Sequence, residues 1–318
     1  MQTTTLGRTG LTVSVAGLGC GGHARLGQSY GHSAEQSVAL VKSALDAGVN
    51  FIDTAAGYGT EEIVGQAVRG LRDKVIISTK QTIVRPDTSE AGQVFLSGDE
   101  YRQTIEGDLT RLGTDYIDIL QLHAVTTDQY SYCQDELVPA LLKLRDQGKI
   151  RFIGITERFA QDTSHSMMVR ALDDDVWDVA MIGFNLINQS ARHLLLTKTA
   201  KNNVGTLGMF AVRRALSNAE ACSEVIADLR KNGQVDLGED EAQDVLGFLT
   251  DSGVAGSVIE AAYRFCRHEP GMHIVLTGTG SEAHLHENIA AIQMPPLPDA
   301  VHQRLMDIFG RVDSVSGN

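Results

Sequence analysis

Four side chains in this sequence have types and positions suited to chemistry: Asp53, Tyr58, Lys80 and His123. Asp53 closes the apolar run NFID (50–53), and Tyr58 follows five residues later inside AAGYG. Lys80 closes IISTK and His123 closes LQLH. A carboxylate, a phenol, an ammonium and an imidazole gathered at one point can move a proton to or from an oxygen and support the charge that develops there. Taken singly, each has a plain structural use. A tyrosine in a glycine loop packs, a lysine after a strand is solvated, a core histidine finds a partner, and an aspartate caps a turn. Four such residues at three consecutive strand ends are harder to assign to scaffold, because charge buried in the mouth of a fold is costly unless it is paired.

Such a gathering requires an architecture in which successive strand ends meet. From residue 13 onward, short apolar runs alternate with helical patterns. The expected strands are 13–19, 50–53, 74–79, 116–122, 150–155, 178–184, 205–211 and 273–278. They are continuous apolar runs, which fits strands buried on both faces of a parallel sheet. Between them, Ser33 and Gln36 predict a capping box ahead of Val38, Val41 and Leu45, with Gly48 as the stop. Thr60 and Gly70 bracket a second helix, and DEYRQTIEGDLTRLG places Tyr101, Ile105, Leu109 and Leu112 on one face ahead of Gly113. ELVPALLKLRDQG, closed by Gly148, is the next. Eight strand–helix units favour a closed (β/α)8 barrel over an open doubly wound sheet. Residues 3–13, with the turn pattern LGRTG, predict a hairpin plugging the bottom, and the acidic stretch 215–257 a helical insert between the seventh strand and its helix. No linker or low-complexity tract divides the chain, so residues 1–318 are expected to form a single barrel domain.

Composition limits the partners. With 40 acidic and 27 basic residues the net charge is −13, which disfavours nucleic acid or an anionic membrane surface. No apolar run approaches the roughly 20 residues of a membrane helix. The start MQTTTLGRTG lacks the basic and apolar segments of a signal peptide, and the four cysteines are scattered, so a cytoplasmic chain with reduced thiols is expected. No metal site is expected from their spacing. GLGCGG (17–22) matches the dinucleotide-binding glycine pattern G-x-G-x-x-G, but that motif works by opening directly into a helix. Here HARLGQSYGH follows, and the first good cap is Ser33. The glycines instead suit the close approach of a flat ligand, with Gly21 as a candidate contact.

LGRTGLTVSVAGLG, NFIDTAAGYG, IISTK, TRLGTDYIDILQLH and DQGKIRFIGIT, in this order, make the chain resemble the aldo-keto reductases over nearly its whole length. The resemblance implies a (β/α)8 barrel that interconverts aldehydes or ketones and alcohols with NADP(H), or with NAD(H), by hydride transfer from the nicotinamide. It also implies that Asp53, Tyr58, Lys80 and His123 form the catalytic tetrad, with Tyr58 as general acid/base. A free phenol releases its proton only near pH 10, so the Lys80 ammonium is expected to assist it, Asp53 to hold Lys80, and a His123 N–H to face the developing alkoxide. The same resemblance places Thr156 and Glu157 where a Ser-Asn pair holds the nicotinamide carboxamide, Met181 where a glutamine is usual, and Phe210 where an aromatic ring stacks on the nicotinamide. Asn185 matches a common family asparagine. Glu287 and Asn288 match the adenine contacts, while Gly278 to Ser281 offer backbone N–H groups to a phosphate. Gly278, Gly280 and His284 stand where Lys or Arg usually grips the 2′-phosphate of NADP, which makes NAD(H) a serious competitor. Arg213 and Arg214 either reach a phosphate or pair with the acidic insert.

Substrate choice is expected from loops 23–32 and 124–134, the insert and the tail, with His23, Arg25, Tyr30, His32, Tyr130 and Tyr132 as candidate lining for a small carbonyl or sugar-like molecule. Trp177 is expected to be structural. The alternatives are an NAD-dependent aldose dehydrogenase, a non-catalytic cofactor-sensing regulatory subunit of the same fold, and a Schiff-base lyase using Lys80. The last requires a neutral amine, which Asp53 and Tyr58 oppose.

Overall fold

Strands that lie parallel must be joined by long crossovers, and alternating βα units close most readily as a barrel. The computed structural model of the chain, which describes residues 1–85, 88 and 92–318, has this form. An antiparallel hairpin, β1 (Thr3–Thr5) and β2 (Thr12–Ser14), precedes eight parallel strands. These are β3 (Ala16–Gly19), β4 (Phe51–Asp53), β5 (Ile76–Gln81), β6 (Ile117–Val125), β7 (Ile150–Glu157), β8 (Val179–Gly183), β9 (Gly205–Met209) and β10 (Ile274–Thr277). They pair in chain order, and β10 returns to β3 to close the (β/α)8 barrel.

Several boundaries differ from the sequence reading for a physical reason. Val13 belongs to the hairpin, and the barrel strand starts only at Ala16. The ladders of β5 and β6 run on, pairing Lys80 with Gln121 and Gln81 with Leu122, so Lys80 and His123 sit within strands and not after them. That continuation fixes the backbone beneath both side chains.

The hairpin does plug the bottom. Leu6, Leu11 and Val13 pack with Phe51, Ile76, Ile119, Val179, Leu207 and Ile274, an apolar cluster inside the barrel. Gly7, at φ +48°, lies so close to β9 that a Cβ there would stand 2.4 Å from the Gly205 nitrogen. The outer ring includes α1 (Ala34–Asp46), α2 (Glu61–Ala67) and α3 (Gly98–Leu112). The expected capping box opens α1, with Gln36 N donating to Ser33 Oγ and Ser33 N to Gln36 Oε1. Thr60, by contrast, caps nothing, because its hydroxyl is bonded to that of Thr54 at 2.8 Å.

The insert between β9 and the helix Val258–Arg267 is helical as expected, with Ala219–Lys231 its longest element. It is pinned to the helix Asp299–Phe309 by the Arg304 guanidinium, 4.1 Å above the Phe248 ring. Among the described residues no helix is long and apolar enough to cross a membrane, and no cluster of His, Cys, Asp and Glu could hold a metal ion. The glycine pattern at 17–22 leads only into a 3-10 segment, Arg25–Tyr30, kinked at Leu26 and Gly27; the first α-helix, α1, begins at Ala34.

Candidate active site

Asp53 is the last residue of β4, paired in register with Ser78 of β5. Lys80 lies two residues along the same strand, and this alternation puts Ser78 and Lys80 on one side of the sheet. Lys80 is 1% exposed, and its Nζ donates to Asp53 Oδ2 at 2.6 Å and to the Thr54 carbonyl at 2.9 Å. The other carboxylate oxygen accepts from Ser78 Oγ at 3.1 Å, and Ser78 in turn accepts from Gln121 Nε2 at 2.7 Å. Gln121 has room because residue 154 on β7 is glycine, where a Cβ would stand 2.7 Å from Gln121 Cγ. Burial alone would strip the ammonium of its proton, but the Asp53 carboxylate and the Tyr58 oxygen outweigh it and hold the Lys80 pKa above its ordinary value. Burial lifts the Asp53 carboxyl above the usual carboxylate range, with Lys80 pulling against it. At 2.6 Å the pair is an ammonium–carboxylate contact.

Tyr58 ends a short turn, Ala56–Tyr58, and is followed by Gly59 at φ +67°. Its ring lies edge-on to His123, with centroids 5.5 Å apart and planes at 84°, and its centroid is 4.9 Å from Lys80 Nζ. Two neighbours fix it. Gly21 abuts the ring so closely that a Cβ there would fall 2.3 Å from Tyr58 Cε2. Arg25 grips the Tyr58 carbonyl, Nε at 2.8 Å with Nη2 on the same oxygen. Sequence reasoning placed Arg25 among the pocket-lining residues; it is a clamp on the tyrosine's backbone. His123 is pushed down to about 3 by burial and by the Lys80 charge, so its imidazole is neutral and has one N–H to give.

The tetrad opens into a cleft of about 1770 Å³ that runs on to the segment after β10. Gly21, Thr156, Glu157, Met181, Phe210, Arg213, Gly278, Gly280, His284, Glu287 and Asn288 all border it. Their states differ. Thr156 Oγ1 accepts from Ala124 N at 2.6 Å, next to His123, which leaves the hydroxyl proton to be donated elsewhere. Glu157 departs from the expected carboxamide contact: its side chain has no exposed surface and is bonded to His165 and to the Gly183 N–H. Met181 is 3% exposed and belongs to the barrel's inner cluster. Phe210, at φ +68°, carries the Arg213 guanidinium 4.0 Å over its ring. Among the described residues Arg213 Nε is buried without a partner, whereas Arg214 stands 3.9 Å from Glu224 on the insert. Asn288 Nδ2 donates to Thr277 Oγ1 at 2.9 Å, and His284 and Glu287 are exposed on the helix Glu282–Gln293. Gly278 and Gly280 permit close packing, a Cβ at either falling 2.7 Å from the backbone of Gly19 or of Gly27. An uncommitted hydroxyl proton at one part of the cleft and an orphaned guanidinium nitrogen at another fit an extended anionic ligand such as a dinucleotide.

Other expected contacts lie elsewhere. His23, Tyr30 and His32 border the cleft, but Tyr130 and Tyr132 do not. The Tyr130 hydroxyl is bonded to Asp174 at 2.6 Å and accepts from Trp177 Nε1 at 3.0 Å; Tyr132 OH donates to the Leu96 carbonyl. Both phenols serve packing, as does Trp177, which is 1% exposed. Asn185 anchors the tail by donating to the Ser316 carbonyl.

Comparison with known proteins bears on the family and the fold. The sequence pattern of the aldo/keto reductase family matches residues 18–309. An uncharacterized oxidoreductase of Bacillus subtilis (strain 168), YqkF, is 25% identical over 92% of this chain and 91% of its own. An NADH-specific methylglyoxal reductase of Escherichia coli (strain K12) is 29% identical over 64% of this chain and 65% of its own. In fold, the chain is similar to an aldo/keto reductase of Klebsiella pneumoniae solved with NADP and acetate, with a TM-score of 0.67 and 22% identity over 98% of this chain and 97% of that one. With a family match spanning all but the ends of the chain, this chain belongs to the aldo/keto reductase family.

Proposed function

We propose that the chain is a nicotinamide-dependent oxidoreductase that interconverts a small carbonyl compound and its alcohol, with Tyr58 as the proton donor to the carbonyl oxygen. The observation that carries this reading is the fully buried Lys80–Asp53 contact at 2.6 Å, facing a Tyr58 ring wedged against His123. Bound nicotinamide supplies the hydride. As negative charge grows on the carbonyl oxygen, the Tyr58 hydroxyl gives it a proton, and the Lys80 ammonium 4.9 Å from the ring centroid supports the charge left on the phenol. Asp53, Ser78 and Gln121 keep that ammonium charged and fixed, so no reorganisation is required when the proton leaves. The neutral His123 offers an N–H in the same space and orients the substrate without adding a second full charge. A Schiff-base role for Lys80 needs a free amine, and a lysine held protonated by a buried carboxylate does not supply one.

NADP(H) is the carrier the family resemblance implies, and NAD(H) is the alternative. Among the described residues the cations bordering the cleft are Lys80, Arg158, Arg213 and Arg214, all outside the 278–288 segment. That segment offers Gly278, Gly280, His284 and Glu287 where a 2′-phosphate would need a charged grip. The test is carbonyl-dependent oxidation of NADPH and NADH over a panel of small aldehydes, ketones and aldoses. Turnover with either carrier is expected; binding of dinucleotide with no turnover of any carbonyl would replace the catalytic reading with that of a cofactor sensor.

A further inference from the structure

The end of β7 carries a second buried pair that the tetrad does not use. Glu157 and His165 have no exposed side-chain surface. His165 Nδ1 lies 2.9 Å from both Glu157 oxygens, and the Gly183 N–H at the end of β8 donates to Oε1 at 2.7 Å. Among the described residues Glu157 has no lysine or arginine partner. Among the described residues His165 Nε2 is buried with no partner. In a neutral imidazole donating from Nδ1, that nitrogen is merely an unused acceptor; in an imidazolium it would be a buried charged donor with nothing to bond. These hydrogen bonds fit a neutral imidazole donating to a carboxylate.

The pair sits close behind the wall of the cleft. Phe159 borders the cleft and stacks on the His165 ring, centroids 5.1 Å apart with planes at 17°. Thr156, the neighbour of Glu157, is bonded to the residue after His123, so this stretch of wall adjoins the reacting centre. A group that delivers hydride to a carbonyl held by Tyr58 and His123 must lie within about 3.5 Å of the carbonyl carbon, hence beside this wall. A neutral side chain could accept the same two hydrogen bonds. Keeping an ionised carboxylate here costs desolvation that a neutral group would not.

We propose that the buried Glu157–His165 pair carries one net negative charge and, acting through the cleft wall, makes the site bind oxidised nicotinamide in preference to reduced. This rests on the dinucleotide reading above. The reduced ring is neutral and the oxidised ring is a cation, so a fixed buried anion lowers the energy of the second and leaves the first nearly untouched. The bound carrier becomes a stronger reductant, and hydride transfer to the carbonyl is favoured on the protein. Arg213, half-buried across Phe210, is present in every variant below and cancels from the comparison.

Calorimetric titration with NAD+, NADH, NADP+ and NADPH tests this on the wild-type chain and on Glu157→Gln and Glu157→Asp. The quantity read is the ratio of the dissociation constants of the reduced and oxidised forms. Removal of the charge in Glu157→Gln is expected to lower that ratio by roughly tenfold, a change for one full charge acting through a poorly polarisable interior. For a two-electron carrier that is about 30 mV. Glu157→Asp keeps the charge and is expected to keep the ratio, and a purely structural pair would shift both forms alike. A ratio unchanged in Glu157→Gln while both forms still bind overturns the inference. Failure of the wild-type chain to bind any of the four overturns instead the dinucleotide reading on which it rests.

Discussion

Gly21→Ala isolates the positioning of the proton donor. Residue 21 carries no catalytic group, and its backbone is not in the left-handed region, so alanine brings no conformational strain of its own. Its Cβ would lie 2.3 Å from Tyr58 Cε2 and 2.6 Å from Cδ2 and Cζ. Carbon atoms in ordinary contact stand about 3.5 Å apart, so the ring must retreat by roughly 1 Å. The backbone cannot follow freely, because Arg25 holds the Tyr58 carbonyl and Gly59 turns the chain immediately after it. A displacement of about 1 Å in a reacting group costs on the order of 100-fold in rate. Under saturating carbonyl and carrier, Gly21→Ala is therefore expected to lower kcat by about that factor. The melting temperature should stay close to that of the wild type. Calorimetry on the same preparation checks that dinucleotide still binds. Gly22→Ala is the control: at φ +67° with nothing within 4 Å of a Cβ, it should cost about 1 kcal/mol of stability and leave kcat alone. Unchanged kcat in Gly21→Ala would refute the claim that this contact sets the tyrosine's position.

Two further perturbations follow from the titratable groups. His123, pushed down to about 3, is neutral in the folded chain well below the ordinary histidine range, so the pH profile of kcat should show no limb near 6.5. The unfolded chain takes up that proton first, so the contribution to stability is lost as pH falls below about 6.5 toward 3; NMR titration of the His123 ring near 6.5 would contradict this. Asp108 is pushed up to about 7 by burial and by the Glu61 charge, with Arg111 opposing. A raised carboxyl favours folding below its unfolded value near 4 and loses that advantage as pH rises through about 7. Asp108→Asn should then gain on the order of 1–3 kcal/mol relative to wild type at pH 8, and less at pH 4, in thermal unfolding.

The barrel was legible because its pattern is local. Apolar runs, capping boxes and glycine stops recur along the chain, and each reports on its own neighbourhood. The candidate tetrad was legible for a related reason: Asp53 ends its strand, and Lys80 and His123 lie close to the ends of theirs, in strands whose order sequence periodicity sets. What escaped depends on where side chains turn in space. Thr60 reads as a cap until Thr54 takes its hydroxyl. Tyr130 and Tyr132 read as pocket residues, yet their hydroxyls find Asp174 and the Leu96 carbonyl. Glu157 sits at a cofactor-facing position in the sequence, but a donor eight residues on, at His165, draws its carboxylate into the wall. Nothing in the spacing of Arg25 and Tyr58 announces a guanidinium on a backbone carbonyl 33 residues away. Residue types showed which chemistry was available; partners decided which of them were free to perform it.

The central claim is that Tyr58 passes the proton while the rest of the cleft holds carrier and substrate. Its most direct test is Tyr58→Phe, which removes one hydroxyl and keeps the ring that packs against Gly21 and His123. We expect carbonyl-dependent oxidation of NADPH or NADH to fall by about 100-fold or more, the range over which a positioned acid contributes, with dinucleotide affinity unchanged. Undiminished turnover in Tyr58→Phe would contradict the account.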